Sequence, residues 1–163
     1  MAERTVVHST FTLDRVYPSP PEKVFAAFSD PTKKRRWFAG GDSLKFETFQ
    51  MDFRVGGTEI ARFRSKEGDR VFQNDTVYRD ILPNRRIVFA YNMSVGETRF
   101  SSSLATIELL PTKKGTELAF TEQSAFFEGA DGPEIRREGW RLLLERLSEA
   151  LAGSFGEQGR NEC

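Results

Sequence analysis

From Gly40 to Phe126 the chain alternates apolar and polar residues with period two. Turn signals interrupt it at Val55-Gly56-Gly57, Lys66-Glu67-Gly68-Asp69, Pro83-Asn84 and Pro111-Thr112-Lys113-Lys114-Gly115. Strands joined by such short turns pair antiparallel with their neighbours. The segment therefore predicts about six strands in a meander. A seventh is expected upstream, from Ser9 to Tyr17, where Phe11, Leu13 and Arg15 alternate with Thr12, Asp14 and Val16 up to Pro18.

Helical patterns flank the meander. Ser19-Pro20-Pro21-Glu22 has the form of a capping box with Pro in the first turn, and Val24, Phe25 and Phe28 follow at helical spacing. Asp30-Pro31 then restarts a short helix ending near Phe38, so two short helices in tandem are expected. Downstream, Asp131 is expected to cap a helix with Glu134 three residues on. Ile135, Trp140, Leu143, Leu144, Leu147 and Leu151 form its apolar face. About 20 residues of helix span about 30 Å, enough to cross a sheet. The predicted class is α+β: a seven-stranded antiparallel sheet covered by a long C-terminal helix, with two short helices between the first two strands. Residues 1–152 read as one domain, and the Gly-rich stretch 153–163 as a flexible tail.

Composition excludes several functions. Lys and Arg total 24, as do Asp and Glu, so the net charge is zero and nothing suits a polyanion such as nucleic acid. The single cysteine, Cys163, permits no intrachain disulfide and no thiolate metal cage. The single histidine, His8, leaves no material for a histidine metal site or a Ser-His-Asp triad and reads as a partly exposed strand residue. No metal and no cofactor are expected. Met1–Thr5 carries no apolar signal run and no stretch is long enough to span a membrane, so the expected location is the cytoplasm. Gly56-Gly57 lacks the frame of a nucleotide loop and reads as a turn. The run Lys33-Lys34-Arg35-Arg36 reads as a solvated helix face, with an acidic or phosphorylated partner as the alternative.

Five segments, in order, carry a family likeness. They are Ser19–Phe28 with Asp30-Pro31 and Trp37-Phe38, then Asp52-Phe53-Arg54-Val55-Gly56-Gly57, then Ile81–Phe89 around Pro83, then Lys114–Leu118, then Glu138-Gly139-Trp140. Together they resemble the Hsp90 ATPase activator homologue-like family of the START/Bet v 1-like (helix-grip) superfamily, over about residues 11–152. The resemblance implies a curved sheet wrapped around the C-terminal helix with a cavity between them. It does not choose a function, because the superfamily hosts binders, cyclases and co-chaperone domains alike.

Candidates for lining that cavity follow from strand parity. Pairing Ile107 with Leu118 places Ser103 opposite Glu122 and Ser101 opposite Ser124, on the face that carries Phe120. Glu122, a carboxylate on an apolar face, could orient a ligand or act as a base. It could equally be solvated, or paired with an arginine such as Arg99. A two-residue turn at Pro83-Asn84 sets Tyr78 opposite Phe89 and Thr76 opposite Tyr91, bringing two phenols towards the cavity. Trp37, beside Ala39-Gly40-Gly41, is either a gate or a packing residue, and Trp140 carries the same two readings. Phe63 and Leu144 complete the set of cavity candidates. The expected partner is a small apolar or aromatic molecule, with no nucleic acid and no membrane. A homodimer stays open. So do a chaperone contact, for which 163 residues leave no room for a separate Hsp90-binding domain, and an enzyme using Glu122 with Tyr78 or Tyr91.

Overall fold

The computed structural model describes residues 4–38, 44–65 and 70–153. In chain order the elements are β1 (Val7–Tyr17), α1 (Pro21–Ser29), α2 (Pro31–Phe38), β2 (Leu44–Met51), β3 (Thr58–Ser65), β4 (Val71–Leu82), β5 (Arg86–Val95), β6 (Thr98–Thr112), β7 (Gly115–Phe126) and α3 (Pro133–Leu151). The seven strands form one curved antiparallel sheet in the order β1-β7-β6-β5-β4-β3-β2. Consecutive strands from β2 to β7 are neighbours, as short turns demand, and β1 closes onto β7 over its full length. The α+β helix-grip expectation holds. The proposed tail from Ser154, the turn at Gly40-Gly41 and the turn at Lys66–Asp69 lie outside the described residues.

α3 buries Arg136, Trp140, Leu144, Leu147 and Leu151, a stripe at spacings of three and four against the sheet. Ile135 was expected in this stripe but is 65% exposed. It precedes Arg136 by one residue, a rotation of about 100° off the buried line. Tyr17 ties β1 to the helix by donating its hydroxyl proton to the Leu144 carbonyl at 3.0 Å.

The helix starts correct two expectations. Ser19 caps nothing with its side chain, because Pro20 holds the N-cap position and the Pro20 carbonyl accepts the first helical bonds from Lys23 and Val24. Ser19 lies one residue too early and instead offers its carbonyl to the Thr116 hydroxyl at 2.7 Å. α3 is capped by Gly132 at φ +89, without a side-chain bond, and the Asp131 carboxylate turns to Arg136. Asp30 does cap α2, accepting from the Thr32 and Lys33 amides at 2.9 and 3.4 Å.

Two hairpins set the register. The β6–β7 loop is tight, with Thr112 paired to Gly115, so Ile107 faces Phe120 and not Leu118. Glu122 therefore faces Ala105, Ser103 faces Ser124, and Ser101 faces Phe126. The shift is two residues, which moves partners but leaves every side chain on its expected face. The β4–β5 turn holds Pro83, Asn84 and Arg85 between the pair Leu82 and Arg86, with Asn84 at φ +64. That is one residue more than expected. An irregularity between Tyr78 and Asp80 offsets it, so Tyr78 still faces Phe89 and Thr76 faces Tyr91.

Candidate functional site

Between α3, the end of α2 and the sheet face of β3 to β5 lies a cavity of about 410 Å³. Its apolar wall includes Phe38, Phe63, Phe72, Met93, Trp140 and Leu143. Asn74, Tyr91, Asp131, Arg136 and Arg146 supply its polar groups. Ile135 and Leu142, 65% and 50% exposed, stand at the rim. Gly139 belongs to the same wall, and a Cβ built there meets nothing within 4 Å. Gly139 thus leaves an open edge to the wall beside Trp140.

One side of this space rests on a buried polar network. Glu122 is fully buried, and its Oε1 accepts the Tyr91 hydroxyl proton and the Trp140 indole N–H, the latter at 3.0 Å. Its Oε2 accepts from the Ser124 hydroxyl at 3.0 Å and lies 3.7 Å from Arg136 Nη1. The Ser103 and Ser124 hydroxyls share a bond of 2.8 Å. Arg136 grips both oxygens of Asp131, at 2.8 and 2.9 Å, and donates to Tyr91, Ser103 and Ser101 at 3.1, 3.3 and 2.8 Å. Its guanidinium N–H groups are thus committed inside the protein.

Burial pushes the Glu122 carboxyl above the ordinary carboxylate range, while bonds from Tyr91, Ser124 and Trp140 and the charge of Arg136 pull it back in part. Burial and the Glu122 charge push the Tyr91 phenol up as well. For Arg136, burial works against the charged form, but Tyr91, Asp131 and Glu122 more than offset it, and the guanidinium stays charged. Burial is thus what makes Glu122 resist ionisation, against the pull of Arg136 and its hydrogen-bond donors.

A second buried carboxylate sits further along the sheet. Glu59 Oε1 accepts from Lys34 Nζ at 2.6 Å and from the Tyr78 hydroxyl at 2.8 Å. Lys34 is only 5% exposed, which corrects the expectation of a solvated face for the run 33–36. α2 turns Lys34 inward with Trp37 and Phe38 and leaves Lys33, Arg35 and Arg36 outside. The ammonium also lies 4.5 Å from the Phe38 ring centroid.

Of the sequence candidates, the structure brings Phe63, Tyr91 and Trp140 together on the cavity wall. Phe120 stacks behind Trp140 at 4.2 Å between ring centroids. Phe89 packs between Tyr78 and Tyr91, and Leu144 is fully buried under the helix. Ser103 and Glu122 belong to the supporting network. Glu122 is neither solvated nor paired with Arg99, because Arg136 reaches it from α3. Trp37 is fully buried, donates its indole N–H to the Ala27 carbonyl at 3.0 Å and packs edge-on to Phe28. Sequence reasoning missed Arg136, Asn74 and Glu59. Parity marked the last two as inward, as partners in alternation with Tyr78 and Phe63, and Arg136 precedes Trp140 by one helical turn.

Among the described residues no group of three or more His, Cys, Asp or Glu could hold a metal ion. None of their helices is long and apolar enough to cross a membrane.

Comparison with known proteins extends the structural picture. A structure from Rhizobium leguminosarum shares 36% identity over 93% of this chain and 99% of its own, with a TM-score of 0.87. The Mll3558 protein of Rhizobium loti is 47% identical over 90% of this chain and 99% of its own, with a TM-score of 0.80. An AHSA1-like protein of Aeromonas hydrophila shares the fold, with a TM-score of 0.67 at 16% identity over 95% of this chain and all of its own. No curated protein matches the chain. The family described as Activator of Hsp90 ATPase homolog 1-like protein matches residues 18–152, from the turn before α1 to the end of α3. By that match, and by a helix gripped in a seven-stranded sheet, the chain belongs to this family.

Proposed function

We propose that the protein binds a small, mainly apolar, ring-containing molecule in the cavity between α3 and the sheet. The observation that carries this reading is a space of about 410 Å³ with aromatic walls, bordered by a glycine on the covering helix. Its volume falls within the range of about 300–1,000 Å³ of small-molecule sites. Phe38 packs against both Phe63 and Trp140, with ring centroids 6.3 and 6.2 Å apart, an aromatic surface for a ring-containing ligand. Glu122 supports a binding role over a catalytic one. Both its oxygens accept internal hydrogen bonds, and what it does is hold Tyr91, Trp140 and Arg136 in place.

Neutral aromatic compounds of one to three rings should raise the melting temperature in a concentration-dependent way and give saturable heats by titration calorimetry. A panel in which no compound does either would end this reading.

A further inference from the structure

Asn74 is the anomaly of the cavity. It projects from β4 into the wall, is 9% exposed, and its Oδ1 is buried without a hydrogen-bond partner. A buried carboxamide oxygen without a partner is unfavourable to folding. The other polar groups of the wall are differently placed. The Tyr91 hydroxyl is committed to Glu122, and Arg136 to Asp131 and the serines. Arg136 therefore has no unshared charge to offer an anion, and Arg146, the other arginine of the wall, is engaged with the Trp37 and Arg36 carbonyls at 3.4 and 3.5 Å.

We infer that the cavity selects an uncharged ring-containing ligand bearing an amide-like edge, a donor beside an acceptor, which pairs with the carboxamide of Asn74. The inference rests on the binding reading above. A 180° flip of the Asn74 amide exchanges its oxygen and nitrogen, so an edge carrying both a donor and an acceptor complements either orientation. The apolar walls take the rings, and Asn74 sets their orientation. A site built to hydrogen-bond its ligand discriminates strongly against an analogue lacking the polar edge, because binding that analogue seals the polar group away unpaired.

The test is calorimetric titration of the full chain with three probes of similar outline: quinolin-2-one, 2-methylnaphthalene and 2-naphthoate. Quinolin-2-one should bind at least about tenfold more tightly than either of the others. Asn74→Leu should abolish or reverse its advantage over 2-methylnaphthalene, with no loss of melting temperature, since it removes an unpaired polar group. Asn74→Val carries the same expectation with a smaller side chain. Equal binding of quinolin-2-one and 2-methylnaphthalene, or a preference unchanged in both variants, overturns the role of Asn74 while leaving the cavity reading intact. Tightest binding of 2-naphthoate overturns the uncharged ligand. If the wider panel of aromatic compounds binds and these three do not, the selectivity fails alone. If nothing in either set binds, the cavity reading fails with it.

Discussion

Replacing Gly139 should raise stability and lower ligand affinity together. The residue lies in the interior of α3, and its Cβ position is empty to 4 Å. Alanine there removes the helix cost of glycine, about 0.8–1 kcal/mol, without a clash. Leucine adds apolar burial against the cavity wall. Because position 139 is exposed, only a small part of the roughly 1.5–3 kcal/mol of a fully buried leucine is expected. Gly139→Ala should therefore gain about 0.5–1 kcal/mol and Gly139→Leu about 1–2 kcal/mol, or a few degrees in melting temperature. The same isobutyl group occupies space a ligand needs. Displacing about four ligand atoms at about 0.3 kcal/mol each lowers affinity about tenfold. Urea denaturation gives the first quantity and titration with the best neutral aromatic probe gives the second. A loss of more than about 1 kcal/mol in Gly139→Ala would show that the helix has no room at this point. Full affinity in a stabilised Gly139→Leu would place the ligand elsewhere.

Two further outcomes concern the buried ions. Lys34→Met leaves the buried Glu59 without its cation and should cost about 3–5 kcal/mol, whereas Lys34→Met with Glu59→Gln should recover more than half of it, because Gln still accepts from Tyr78. Urea denaturation of the four-protein cycle measures the coupling, and strictly additive losses would remove the ion pair as the cause. The raised pKa of Glu122 means that its contribution to stability is complete below about pH 4.5, its unfolded value, and is lost as pH rises through the folded value. Glu122→Gln does not titrate, so the difference in stability between variant and wild type should move in favour of the variant from pH 4 to 8. A flat difference, or movement the other way, would show that burial does not dominate at Glu122.

The alternation of apolar residues was enough to read the strand faces, and it survived two errors in turn length. At β6–β7 the pairing is displaced by two residues, an even shift that keeps Phe120 and Glu122 inward. At β4–β5 an extra turn residue is offset by an irregularity one turn of sheet away, so Tyr78 and Tyr91 meet their expected partners. Caps were harder, because Pro20 and Gly132 start their helices by backbone conformation alone and leave Ser19 and Asp131 for other bonds. Buried charge was least legible. Lys34 looks like its neighbours in the run 33–36, and only the folded position of Glu59, on a strand 25 residues away, gives it a reason to turn inward. Asn74 could be placed on the inner face by parity, yet its lack of a partner is a fact of three dimensions.

The pairing of β1 with β7 reverses the order of synthesis. Val7–Tyr17 is made first, but its sheet neighbour among the described residues is Thr116–Phe126, roughly a hundred residues later. At about 5–20 residues per second on the ribosome, β1 waits on the order of 5–20 s with Phe11, Leu13 and Tyr17 uncovered. The strands from β2 to β6 can pair as they emerge, so the last-made strand and helix complete the structure by capturing its oldest segment. Slow closure is thus a property of the topology, and destabilising changes in β1 or β7 should appear first as poor yield of folded protein during synthesis.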